Sequence, residues 1–117
     1  MPVNPIVHIE LSAVDSKSAG EFYSSLFGWT VKPFEGSDYL TFEAKPGPGG
    51  GFNVIDNEHH KAGEIIPYLQ VDDIEAMLAK IAARGGKVVV GKSEIPGEGH
   101  FALFEDPSGN VIGLFSG

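Results

Sequence analysis

The chain has 117 residues, with 16 acidic and 8 basic side chains, a formal net charge of −8 and no cysteine. One ordinary domain of this size buries about two-thirds of its unfolded surface and needs no staples. The cysteine count excludes a disulfide scaffold, a thiolate zinc site and a cysteine nucleophile. The acidic balance disfavours nucleic acid and anionic membranes, which need clustered Lys and Arg. No apolar run reaches the roughly 20 residues of a membrane span. The N-terminus, MPVNPIVHIEL, has no basic n-region or small-residue cleavage site. A cytoplasmic, soluble protein is therefore expected.

In chain order, VHIELSAVD (7–15) alternates and is rich in β-branched residues, which predicts a strand. DSKSAGEFYSSLFG (15–28) predicts a helix, with Asp15 as N-cap, Gly28 as C′ residue and Ala19, Phe22, Tyr23 and Leu26 as its apolar stripe. WTVKPF (29–34), DYLTFEA (38–44) and GGFNVID (50–56) read as three further strands, the last two separated by the breaker KPGPGGG. That glycine cluster lacks the following Lys-Ser/Thr and helix start of a phosphate cradle, so it reads as a loop. Trp29 and Phe34 fit either a core or the wall of an apolar cavity.

The order then repeats. NEHHKAGE (57–64) is a polar linker. IIPYLQV (65–71) reads as a strand, and DDIEAMLAKIAARG (72–85) as a helix with Asp72 and Glu75 in capping-box spacing and Ile74, Met77, Leu78 and Ile81 as its stripe. GKVVVG (86–91), HFALFED (100–106) and NVIGLF (110–115) complete the set, with Asp106-Pro107-Ser108-Gly109 as a hairpin turn. Asp15 to Gly28 and Asp72 to Gly85 are both 13 residues apart, each after a strand ending in Val. The matched punctuation and element order predict a β-α-β-β-β module used twice, about 5–56 and 65–116.

Alternation divides the first strand into an apolar face, Val7, Ile9 and Leu11, expected against the helix, and a polar face of His8, Glu10 and Ser12. On the fifth strand Ile66, Tyr68 and Gln70 share one face. His8 and Glu10, two apart, have a spacing suited to acid–base chemistry; a plain polar strand face is the alternative. Tyr68 and Gln70 suit hydrogen bonding to a ligand, or rim packing. His59 and His60 are adjacent, so their side chains diverge along an extended chain and chelate poorly. His100 follows IPGEGH (95–100), read as a flexible rim, and contacts a ligand if it, Ala102 and Phe104 face a cavity. Gly113 stands in a strand interior, where glycine marks a bulge or a close approach.

These residues together resemble the vicinal oxygen chelate superfamily, which includes glyoxalase I, bleomycin-resistance proteins and extradiol dioxygenases. Phe22-Tyr23 with Leu26-Phe27-Gly28-Trp29 is similar to the family's F-Y-x-x-x-L-G-[WM] phrase, and Asp106-Pro107-x-Gly109-Asn110 to its D-P-x-G-N turn. The resemblance implies an α+β fold: two βαβββ modules forming a cup-shaped mixed sheet with helices on the outer face, in a single domain that commonly pairs as a homodimer. In the enzymes it implies, His, Glu or Gln on the first and last strands of each module hold a divalent metal that polarises the substrate. Here those positions fall at His8, near Asn53, at Ile66 and at Gly113, so only His8 is a competent donor. The expectation is a small, partly apolar molecule bound in the cup by His8, Glu10, Asn53, Tyr68, Gln70 and His100, with no cofactor. Two alternatives stay open: a metal-dependent lyase, isomerase or dioxygenase with a divalent metal at His8, and a non-enzymatic sequestration or resistance protein.

Overall fold

The computed structural model describes residues 3–56, 58 and 60–117. The element order is β1 (Ile6–Ala13), α1 (Ser16–Phe27), β2 (Thr30–Pro33), β3 (Leu40–Glu43), β4 (Gly49–Val54), β5 (Ile65–Gln70), α2 (Ile74–Ala83), β6 (Lys87–Ile95), β7 (Gly99–Glu105) and β8 (Val111–Ser116). The twice-used β-α-β-β-β order is thus present, and the fold is α+β. The chain forms two compact units, Val7–Ile66 and Pro67–Gly117, the latter together with the N-terminal segment up to Ile6.

In the first unit the strands run β2-β3-β4-β1. β1 and β4 are parallel, with Glu10 opposite Gly51 and Ser12 opposite Asn53. β3 is antiparallel to β4 and to β2. A parallel neighbour requires a long crossover, which α1, β2 and β3 supply. α1 begins at Asp15, whose carboxylate accepts from the Lys17 amide and the Ser18 hydroxyl. It ends at Gly28, in the left-handed region at φ 76°, whose amide bonds to the Ser24 carbonyl. Both predicted caps are therefore in place.

The inward face of α1 differs from the predicted stripe. Ala19 and Tyr23 pack against Ala13, Phe42 and Phe52, but Phe22 and Leu26 are exposed. Gly20 is buried instead, tight against Val31. A residue without a side chain lets the helix axis approach the sheet, and the close face becomes 19, 20 and 23. Tyr23 stacks on Trp29 at 4.7 Å between centroids, and Trp29 on Phe42 at 4.3 Å. Trp29 is therefore core beneath α1, while Phe34 meets the Tyr39 ring edge-on.

In the second unit the order is β5-β8-β7-β6. β5 and β8 are parallel, with Tyr68 opposite Gly113. The predicted stripe of α2 is the observed one: Ile74 and Leu78 are buried with Ala102, Phe104 and Leu114, and Met77 and Ile81 pack beside them. Its N-cap is Asp73, whose carboxylate accepts from the Ala76 amide, and not the predicted Asp72. The repeat is thereby offset by 58 residues at the helix start, where the sequence spacing suggested 57.

β6 continues to Ile95, beyond the predicted end at 91, with register shifts between Val88 and Val90 and between Val90 and Ser93. The stretch read as a flexible rim is a short hairpin connection, closed by the Glu98 amide on the Ile95 carbonyl. The Asp106–Asn110 turn is as predicted. Asp106 accepts from the Ser108 and Asn110 amides, and Gly109 lies at φ 92°. The Asn110 side chain, then the backbone amides, hold the Asp106 carboxyl below its usual range.

A hydrogen-bonded carboxylate as the candidate functional site

The sheet of the first unit has one face on α1 and one face opposite. Leu11 and Ala13 take the helix side. Alternation sends His8, Glu10 and Ser12 to the other side, and the strand pairing adds Gly51 and Asn53 from β4. Tyr39 enters from the residue just before β3.

These residues form one cluster around Glu10. His8 Nε2 lies 2.8 Å from Glu10 Oε2 and 3.2 Å from the Tyr39 hydroxyl oxygen. The Tyr39 hydroxyl donates to the same Glu10 oxygen. Asn53, on the strand paired with β1, also favours the charged form of the carboxylate. The Glu10 side chain is 11% exposed and that of His8 33%. Burial pushes the Glu10 carboxyl upward, but hydrogen bonds from His8 and Tyr39, the His8 charge and the nearby Asn53 amide outweigh it. The carboxyl is held below its ordinary value, so it is ionised at neutral pH and accepts only. His8 Nε2 must then carry the proton of the shared bond. Charge-assisted bonds of this type are worth about 1.5–3 kcal/mol each, which offsets the desolvation of a buried carboxylate.

Gly51 makes the arrangement possible. A Cβ there would overlap the Tyr39 hydroxyl and ring. The second unit has a counterpart: a Cβ on Gly113 would overlap the Tyr68 ring. With the 58-residue offset between the two helix caps, the registers of the two parallel pairs match Glu10 with Tyr68 and Gly51 with Gly113. That match puts Gly51, rather than the neighbourhood of Asn53, at the second of the positions that the resemblance implies. The glycine in the last strand, odd in the sequence, is the floor beneath an aromatic ring.

Of the residues expected to bind, His8, Glu10 and Asn53 come together. Tyr68, Gln70 and His100 lie in the other unit. Tyr68 covers Gly113, and Gln70 is exposed with its backbone tied to Asn4 and Pro5. His100 shares its face with Ala102 and Phe104, which pack on α2, so it lies on the opposite face from Tyr68 and Gly113. The condition attached to His100 is thus not met. Tyr39 was missed. Its signal was the alternation Tyr39, Thr41 and Glu43, which places a phenol on the face of Glu10, but only the strand order shows the two as neighbours. The His59 reading lies outside the described residues. His60 is held by its amide on Asp56 Oδ1, with its Nδ1 3.5 Å from Glu64 Oε1.

The residues present do not fit the divalent ion implied by the resemblance. Among the described residues, no three His, Asp or Glu side chains are grouped to hold a metal. Of the four family positions, Ile66 is an apolar side chain only 3% exposed, Gly51 and Gly113 offer no donor, and His8 is engaged with Glu10. No helix among the described residues is long and apolar enough to cross a membrane.

A family model described as Glyoxalase/Bleomycin resistance protein/Dioxygenase superfamily matches residues 5–114. A glyoxylase-like domain-containing protein of Didymella fabae is 34% identical over 112 residues, covering 88% of this chain and 86% of its own. CFP32 of Mycobacterium bovis is 27% identical over 124 residues, covering 92% of this chain but 43% of its own. The chain thus spans less than half the length of that relative. A crystal structure of a glyoxalase/bleomycin resistance protein/dioxygenase superfamily member from Vibrio splendidus aligns with a TM-score of 0.67 at 16% identity, over 98% of this chain and 100% of its own. At that identity the likeness is one of fold.

Proposed function

Because the chain belongs to the Glyoxalase/Bleomycin resistance protein/Dioxygenase superfamily, we propose that it binds a small, partly apolar molecule on the sheet face opposite α1, without the metal used by the superfamily's enzymes. The observation that carries this reading is the Glu10 cluster. A nearly buried carboxylate with His8, Tyr39 and Asn53 around it is a fixed polar anchor, and His8 is open enough to meet a ligand. Ligand sites combine a few such anchors with apolar walls. A structural role alone is better served by an apolar side chain, since buried ion pairs are weak stabilisers. Superfamily membership does not decide between binding and catalysis, and the donor set supports binding.

A screen of metabolites by thermal shift tests the reading, because a molecule that binds only the native state raises its stability. The reading expects at least one compound to raise the melting temperature of the wild-type chain and not of the His8→Ala variant. No stabilising compound, or a stabilisation unchanged in His8→Ala, overturns it. A homodimer belongs to the same reading and is tested by sedimentation of the purified chain.

A further inference from the structure

The polarity of the Glu10 cluster restricts the chemistry of its ligand. Its three partners arrive from three places in the chain: His8 from β1, Tyr39 from the entry to β3, and Asn53 from β4. Toward Glu10 His8 and Tyr39 act as donors, and Asn53 too favours its charged form. The cluster is therefore built around an acceptor. No Lys or Arg forms an ion pair with Glu10 among the described residues; Lys32, on the first unit's β2, lies 3.8 Å from Glu43 instead. An incoming carboxylate or phosphate would meet the nearly buried Glu10 carboxylate, whose ion-pair partner among the described residues is His8 alone, in a chain with twice as many acids as bases.

Tyr39 is the one member of the cluster that lies outside a strand. It is half-buried, and it reaches Glu10 over Gly51, where no side chain stands beneath its hydroxyl. Rotation of that ring leaves an acceptor position on Oε2 with His8 still in place. A donor on a ligand would then take the position vacated by the phenol.

We infer that the molecule held at this site presents a hydrogen-bond donor, an ammonium or a hydroxyl group, to Glu10 in place of the Tyr39 hydroxyl, and that molecules ending in an anion are discriminated against. The inference rests on the small-molecule-binding reading above.

Three probes of one size separate the possibilities: benzylamine, benzyl alcohol and benzoate. Each is titrated into the full chain while the His8 and Tyr39 ring resonances are followed by NMR. Benzylamine and benzyl alcohol should shift both rings at concentrations about tenfold or more below those at which benzoate acts, a difference of about 1.4 kcal/mol or more. Glu10→Gln should remove the preference for benzylamine over benzoate. If that variant does not fold, Tyr39→Phe serves, and benzylamine should shift the His8 ring at least as readily as in the wild type. Benzoate acting as readily as benzylamine, or benzylamine failing with Tyr39→Phe, overturns the inference and leaves small-molecule binding standing. No ring shift with any probe also overturns the inference, and the thermal-shift screen decides the binding reading separately.

Discussion

The Tyr39 hydroxyl donates to Glu10 across the empty floor of Gly51. A phenol, a carboxylate and a glycine from three separate chain segments thus act as one unit, and substitution of the glycine should be felt at the other two. Gly51→Ala forces the phenol off the carboxylate. It should destabilise the chain by about 1–3 kcal/mol, the range for overpacking. The cost should shrink when Tyr39 is first changed to Ala, as urea denaturation of the four variants would show. Equal stability of Gly51→Ala and wild type would mean that the phenol does not occupy that space.

The second unit makes a parallel case. Gly113→Ala should cost about 1–3 kcal/mol through overlap with the Tyr68 ring, and less in a Tyr68→Ala background. Additive costs would separate the two residues and leave the glycine unexplained.

The Glu10 cluster also sets a pH dependence. The folded-state value of Glu10 is depressed below the ordinary 4.5. Its contribution to stability is therefore fully present above that value and is lost as pH falls through the lower folded value. Unfolding free energies of wild type and Glu10→Gln, measured by urea at a series of pH values, should differ most near neutrality and converge in acid. A difference that grows on acidification contradicts the assigned hydrogen bonds. The subtraction is needed because Asp15 and Asp106 are shifted in the same direction, each first by a side-chain partner, Ser18 and Asn110.

The α2 cap separates two adjacent aspartates. Asp73→Ala should cost about 1 kcal/mol, a usual cap value, and Asp72→Ala much less. The opposite ranking would restore the cap position expected from sequence spacing.

That cap illustrates what was legible in the sequence. Element order, both α1 caps and the α2 stripe follow from periodicity and local hydrogen-bonding chemistry, which are short-range and written in adjacent residues. The cap position in Asp72-Asp73 turns on which of two like residues takes the extended conformation, and spacing alone does not decide that. The α1 stripe failed at Phe22 and Leu26 because Gly20, not a large apolar residue, sets the closest approach to the sheet. In the site, His8 and Glu10 were visible as neighbours on one strand face. Tyr39 was not, because its meeting with Glu10 depends on β4 lying between β3 and β1 and on Gly51 leaving room. Gly113 stands out in the sequence as a glycine in a strand interior, but Tyr68, 45 positions away in the chain, explains it through the parallel register of β5 and β8.

In the proposed reading, Glu10 and His8 form a hydrogen-bonded anchor rather than half of a metal centre. The most direct measurement is calorimetric titration of the chain, purified without chelators and first assayed for bound metal, with nickel, zinc, manganese and ferrous ions. No stoichiometric metal as purified and no His8-dependent uptake on titration is the predicted result. One ion per chain, bound by the wild type and lost in His8→Ala, would contradict it.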